Sequence, residues 1–138
     1  MAKILVIEDS AIMRETIKQI LRLDRHIIIE AEDGPSGIAK ARAEHPDLIL
    51  LDLMMPYMPG DQVARYLQGD EKLAAIPVII LTAMNRTDMI FNMLELNVRD
   101  YLLKPVEAST LRQRVRAVLS QKPSRQLPGN TSENPISF

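Results

Sequence analysis

Hydrophobic residues in this chain gather into four short unbroken runs, and each run ends in a polar residue. Ile4-Leu5-Val6-Ile7 leads to Glu8-Asp9, and Leu48-Ile49-Leu50-Leu51 leads to Asp52. Val78-Ile79-Ile80-Leu81 leads to Thr82, and Tyr101-Leu102-Leu103 leads to Lys104-Pro105. Runs this short and continuous predict strands buried on both faces, the habit of parallel sheets. A further strand is predicted over His26 to Glu30, closed by Asp33-Gly34.

Between the runs the apolar period changes to that of a helix. Ile12, Met13, Ile17, Ile20 and Leu21 follow Ser10, a predicted cap. Pro35 suits the first turn of a second helix carrying Ile38, Ala39, Ala41 and Ala43, which His45-Pro46 ends. Pro56, Pro59 and Gly60 predict a rigid loop, and Asp61 a cap for a third helix with Val63, Ala64 and Leu67 inward. Ile76-Pro77 opens the next strand. A fourth helix is predicted over Asp88 to Leu96, with Asn97 in the left-handed position at its end. A strand over Val98 to Leu103 and a fifth helix over Ser109 to Ser120 follow, with Leu111, Val115, Val118 and Leu119 inward. Repeated strand–helix alternation implies right-handed crossovers and a doubly wound α/β fold: five parallel strands with helices on both faces. The expected domain is 1–121. Residues 122–138 are rich in Pro, Ser, Gly and Asn and are expected to form a disordered tail.

Composition narrows the function. The chain has 138 residues, 46% hydrophobic and 25% charged, enough for one domain with a real core. Its net charge of −1 gives no electrostatic footprint for nucleic acid or an acidic membrane. No apolar run reaches the length of a membrane span, so a cytoplasmic address is expected. Cysteine is absent, which excludes disulfides and thiolate metal sites.

In an open parallel sheet the ligand site lies beyond the carboxyl ends of the strands. Glu8, Asp9, Asp52, Thr82 and Lys104 are therefore expected to converge there. Mutually repelling carboxylates call for a cation, and an oxygen-only donor set suits Mg²⁺. Lys104 is placed to pair with Asp52 or with a phosphoryl oxygen, and Thr82 to donate one hydrogen bond to such an oxygen. Nucleotide and hydrolase readings lack their glycine-rich loop and nucleophile elbow. His26 and His45 have no metal-ligand partners nearby in sequence and are expected at the surface.

Four motifs carry a resemblance: Ile4-Leu5-Val6-Ile7-Glu8-Asp9-Ser10, Asp52-Leu53-Met54-Met55-Pro56-Tyr57-Met58-Pro59-Gly60, Leu81-Thr82-Ala83, and Asp100-Tyr101-Leu102-Leu103-Lys104-Pro105. Over roughly residues 3 to 120 the chain resembles the receiver domain of two-component response regulators. The resemblance implies the flavodoxin-like strand order 2-1-3-4-5 and a phosphorylation-controlled signalling switch rather than a conventional enzyme. By the same resemblance, Asp52 accepts a phosphoryl group from a histidine kinase or phosphotransfer protein. Asp9, Asp52 and the Met54 backbone carbonyl hold Mg²⁺, with Glu8 acting through water. Thr82 and the Ala83 N–H hold phosphoryl oxygens, and Lys104 pairs with the phosphate. Tyr101 is the aromatic switch that follows Thr82, and the Lys104–Pro105 peptide is cis. Met54 and Met84, which flank the path of the attacking water, imply a long-lived phosphorylated state.

The chain departs from the family at Asn97-Val98-Arg99, Val106 and Thr110. Thr110 puts in doubt the charged homodimer that some members form through their fourth helix, fifth strand and fifth helix. The broad apolar arc of 88–96, with Met89 and Phe91 on its flanks, makes that helix an expected contact for a target protein or a second copy. Two alternatives stay open. One is a Mg²⁺-dependent aspartyl-phosphate phosphatase or phosphotransferase, which would want an acid where Met54 stands. The other is a receiver cut from a longer multidomain regulator.

Overall fold

The computed structural model of the protein describes residues 1–83 and 96–121. Five strands, β1 (Lys3–Ile7), β2 (Ile27–Ala31), β3 (Leu48–Asp52), β4 (Val78–Thr82) and β5 (Val98–Leu103), form one sheet. Its order is β2-β1-β3-β4-β5, and every pairing is parallel. Four helices are described: α1 (Ala11–Arg22), α2 (Gly34–Glu44), α3 (Gly60–Gly69) and a C-terminal helix, Ala108–Leu119. The helix predicted over 88–96 lies outside the described residues except for Leu96, and so do Met84 and the tail 122–138.

Alternation along the three central strands feeds two cores. Ile4, Val6, Leu48, Leu50, Ile79 and Leu81 face α1 and the C-terminal helix, meeting Ile17, Leu21, Leu111, Val115 and Val118. Leu5, Ile7, Ile49, Leu51, Val78 and Ile80 face α2 and α3, meeting Ile38, Ala41, Val63, Ala64 and Leu67. β3 and β4 are buried along their whole length, as the unbroken apolar runs require. β2 and β5 sit at the sheet edges and are only partly covered, which corrects the expectation of burial on both faces for β5.

Local chemistry sets the helix ends. Ser10 accepts from the Met13 N–H and Asp33 from the Ser36 N–H, each an N-cap that satisfies an orphan donor. The third helix differs from the prediction. Its N-cap is Pro59 with no side-chain cap bond, and Asp61 falls in the first turn, where a carboxylate favours the positive end of the helix dipole. Asn97 has φ 58, as its place after the fourth predicted helix suggested. Its side-chain amide donates to the carbonyls of Ala74 and Ile76 at 3.0 and 3.1 Å. His26 is half-buried rather than a plain surface residue: its Nδ1 accepts from the Ala2 N–H at 3.1 Å. Met1, Leu23, His26, Pro77, Arg99 and Gln121 line one groove at the edge where the strands begin, opposite the strand ends that carry the acidic residues.

Gly60 brings α3 onto the end of β3. A Cβ there would lie 2.4 Å from the Asp52 carbonyl oxygen and 2.7 Å from the Leu53 Cα, both backbone atoms. Gly60→Ala is expected to cost about 2 kcal/mol in urea unfolding, within the usual range for overpacking. Gly69→Ala serves as the control. Its Cβ would meet nothing within 4 Å and its φ is not positive, so it should be neutral or stabilising by up to ~1 kcal/mol.

Candidate functional site

The strand ends assemble the site. Glu8 follows β1, Asp52 closes β3, Thr82 closes β4 and Lys104 follows β5. Glu8, Asp52 and Thr82 are buried, with exposures of 1%, 3% and 0%. Asp9 is exposed. Carboxylate oxygens of Glu8, Asp9 and Asp52 lie within 4.8 Å of one another. The predicted convergence of carboxylates and ammonium is therefore present in space, with Thr82 closing the strand between those of Asp52 and Lys104.

Lys104 bridges two of the acids. Its Nζ lies 2.6 Å from Glu8 Oε1 and 3.3 Å from Asp52 Oδ2. The shorter contact is to Glu8, a partner that sequence reasoning did not name. The Lys104 N–H donates to the Thr82 carbonyl at 2.8 Å, which fixes the root of the side chain beside β4. The Lys104–Pro105 peptide is cis.

Glu8 is gripped at every polar group. Its N–H donates to the Ala31 carbonyl at 3.0 Å. Its Oε2 accepts from the Ser10 N–H at 3.0 Å, and its Oε1 faces Lys104. Its carbonyl accepts from Arg14 Nη1 at 2.7 Å. Asp52 Oδ1 accepts from the Met54 N–H at 3.1 Å. Met54 thus touches the site through its N–H, and its side chain is 52% exposed. Ala83 follows Thr82 and is exposed. Tyr101 pairs in register with Ile80 and packs, partly buried, against the core facing α2 and α3.

The electrostatics follow from this packing. Burial raises the Glu8 pKa, and the charge of Asp52 adds to the rise. The hydrogen bonds from Lys104 and the Ser10 N–H oppose it without cancelling it. Burial alone would depress Lys104, but the hydrogen bond to Glu8 and the charge of Asp52 outweigh it and raise the pKa. Three carboxylates and one ammonium leave two net negative charges in one small space. The donors are all hard oxygens, and the exposed Asp9 leaves room for water. That set fits a divalent ion such as Mg²⁺, which takes few protein ligands and keeps positions for water and phosphate.

A cluster of this kind costs stability when no cation is present. At an effective dielectric of ~20, two charges 4.8 Å apart repel by about 3 kcal/mol before compensation. Asp52→Asn should therefore raise the melting temperature in chelator by several degrees, about 1 kcal/mol or more after the compensation by Lys104. Millimolar Mg²⁺ should shrink the gain. The Glu8 shift has a definite sign: its native pKa lies above 4.5. The folded state then holds the extra proton between 4.5 and that raised pKa. Stability from this group grows as pH falls toward 4.5 and is lost as pH rises through the raised value. Glu8→Gln should flatten that part of the pH–stability curve measured by thermal unfolding.

The comparisons agree with the geometry. The family model for the response regulator receiver domain matches residues 4–116. Protein PilH of Pseudomonas aeruginosa is 40% identical over 121 residues, covering 87% of this chain and 99% of PilH. The phosphate regulon regulator PhoB of the same organism is 39% identical over 96% of this chain, which spans 56% of PhoB. Chemotaxis protein CheY4 of Vibrio cholerae superposes with TM-score 0.81 at 25% identity, over 86% of this chain and 98% of that one. The receiver domain of sensor histidine kinase PA1611 from Pseudomonas aeruginosa superposes with TM-score 0.79 at 26% identity, over 87% of this chain and 98% of that one. Its structure has a magnesium ion coordinated in the active site cleft. With a match across most of its length, the flavodoxin-like strand order and a buried aspartate among acids at the strand ends, the chain belongs to the response regulator receiver domain family.

Proposed function

We propose that Asp52 is the phosphoacceptor of this phosphorylation-activated response regulator and that its phosphorylation state controls a protein-binding face. The observation that carries this reading is the environment of Asp52. It is a nearly buried carboxylate, held by the Met54 N–H and Lys104, with Glu8 and Asp9 beside it. A carboxylate oxygen of Asp52 attacks the phosphorus of a phosphohistidine on a histidine kinase or phosphotransfer protein. The P–O bond forms as the P–N bond breaks, and the electron pair leaves with the donor imidazole, which takes up a proton.

Asp9, Asp52 and the Met54 carbonyl would hold Mg²⁺, with Glu8 acting through water. The ion would neutralise phosphoryl oxygens that otherwise meet three carboxylates. Lys104 turns toward the transferred group and gives up part of its contact with Glu8. Thr82 and the Ala83 N–H receive the remaining oxygens. Tyr101 responds to Thr82 and changes the surface along β5 and the C-terminal helix, which a target protein or a second copy engages. The chain then catalyses only its own phosphorylation and dephosphorylation. The phosphatase alternative would need an acid at Met54, whose thioether has no proton to give.

We take 1–121 as the receiver unit. PilH has about the same length, whereas the chain spans about half or less of several other relatives. The role is assigned to the cytoplasm, without direct contact to nucleic acid or membrane. Among the described residues, no helix is long and apolar enough to cross a membrane.

Incubation with acetyl phosphate and Mg²⁺ should add one phosphoryl mass by intact-protein mass spectrometry. Asp52→Asn should abolish the addition, and a variant that still gains the mass would refute the assignment. Lys104→Ala should still take up the phosphoryl group but respond less to it, read as a smaller phosphorylation-dependent change in Tyr101 fluorescence.

A further inference from the structure

Asp9 has a problem that its neighbours do not share. It is exposed, and no hydrogen bond or ion pair to its side chain is formed among the described residues. Its direction must come from its backbone. The peptide that carries Asp9 begins with the carbonyl of Glu8, and that carbonyl accepts from Arg14 Nη1 at 2.7 Å. The same guanidinium donates through Nε to Glu30 Oε1 at 3.1 Å. Glu30 stands near the end of β2, and its other oxygen is held by Lys18 at 2.8 Å. The Arg14 side chain is only 15% exposed. A chain of contacts thus runs from β2 through Glu30 and Arg14 to the Glu8–Asp9 peptide plane.

Resting on the Mg²⁺ reading above, we propose that Arg14, held by Glu30, is a positioning residue for the metal site and acts through the Glu8–Asp9 peptide. The fork of Arg14 is what the task needs. Nε and Nη1 point along fixed directions, so one end can be held by β2 while the other holds the turn. A lysine would keep the charge and lose the fork. Outer contacts of this kind commonly change metal affinity by about tenfold or more.

Charge alone predicts the opposite sign. A cation beside a divalent-ion site repels the ion, so its removal would tighten binding. If Arg14 positions Asp9, its removal weakens binding. Calorimetric titration of the full chain with MgCl₂ separates the two. We expect Arg14→Gln to weaken Mg²⁺ binding about tenfold and Arg14→Lys to weaken it several-fold. In both, acetyl phosphate labelling should recover at saturating Mg²⁺. Circular dichroism and thermal unfolding report whether each variant keeps its fold, and Glu30→Gln provides a third variant with Arg14 intact. Folded Arg14 variants that bind Mg²⁺ as well as the wild type, or more tightly, would overturn the proposal while leaving the metal site in place. A wild-type chain that takes up no Mg²⁺ would overturn both readings.

Discussion

Ninety-six positions separate Lys104 from Glu8, and 2.6 Å separates their charged atoms. That contact, shared with Asp52, is the interaction on which the site depends. Two carboxylates next to a hydrophobic core repel one another and resist desolvation. One ammonium, brought from beyond β5 past the end of β4, makes their coexistence possible. It reaches them only when β1, β3, β4 and β5 are in register, because its root is fixed by the Thr82 carbonyl. The site is therefore a readout of correct strand pairing as well as a chemical centre.

The same contact bears on the switching proposed above. An ion pair to Glu8 and Asp52 satisfies Lys104 in this structure, and under the proposed phosphorylation of Asp52 the phosphoryl group would compete for the same ammonium. On that reading the ground state is held by an interaction that the product would displace. The remaining grip on Glu8 comes from backbone groups and Arg14, none of which touches Asp52.

Much of this was legible in the sequence because parallel sheets impose a simple rule. A strand buried on both faces is a continuous apolar run, and the residue that ends it faces the ligand. Glu8, Asp52, Thr82 and Lys104 all stand at the carboxyl ends of their strands, where the rule places such residues. It failed for cross-chain contacts that leave no periodic trace. The pairing of Lys104 with Glu8 rather than chiefly with Asp52 depends on side-chain reach. Arg14 falls outside every motif and apolar position that the sequence offers in α1. Glu30 was the available signal, an acid near the end of β2, where the strand-end rule would have directed attention. Asp61 looked like a cap because its residue type favours that role. The helix starts two residues earlier, at Gly60 where the chain closes on β3, so the cap falls to Pro59. β5 looked wholly buried because its apolar run gave no hint that it lies at an edge.

The groove at the opposite edge of the sheet has a consequence for how such a unit is used. Met1 and Gln121 both line it, so the two ends of the described fold emerge together, a full strand length from Asp52. Attachments made there are insulated from the phosphoryl chemistry by the thickness of the core. A receiver built this way behaves as a plug-in module. It can be tethered through either end, to a surface or to another polypeptide, with its acidic mouth still open to solvent.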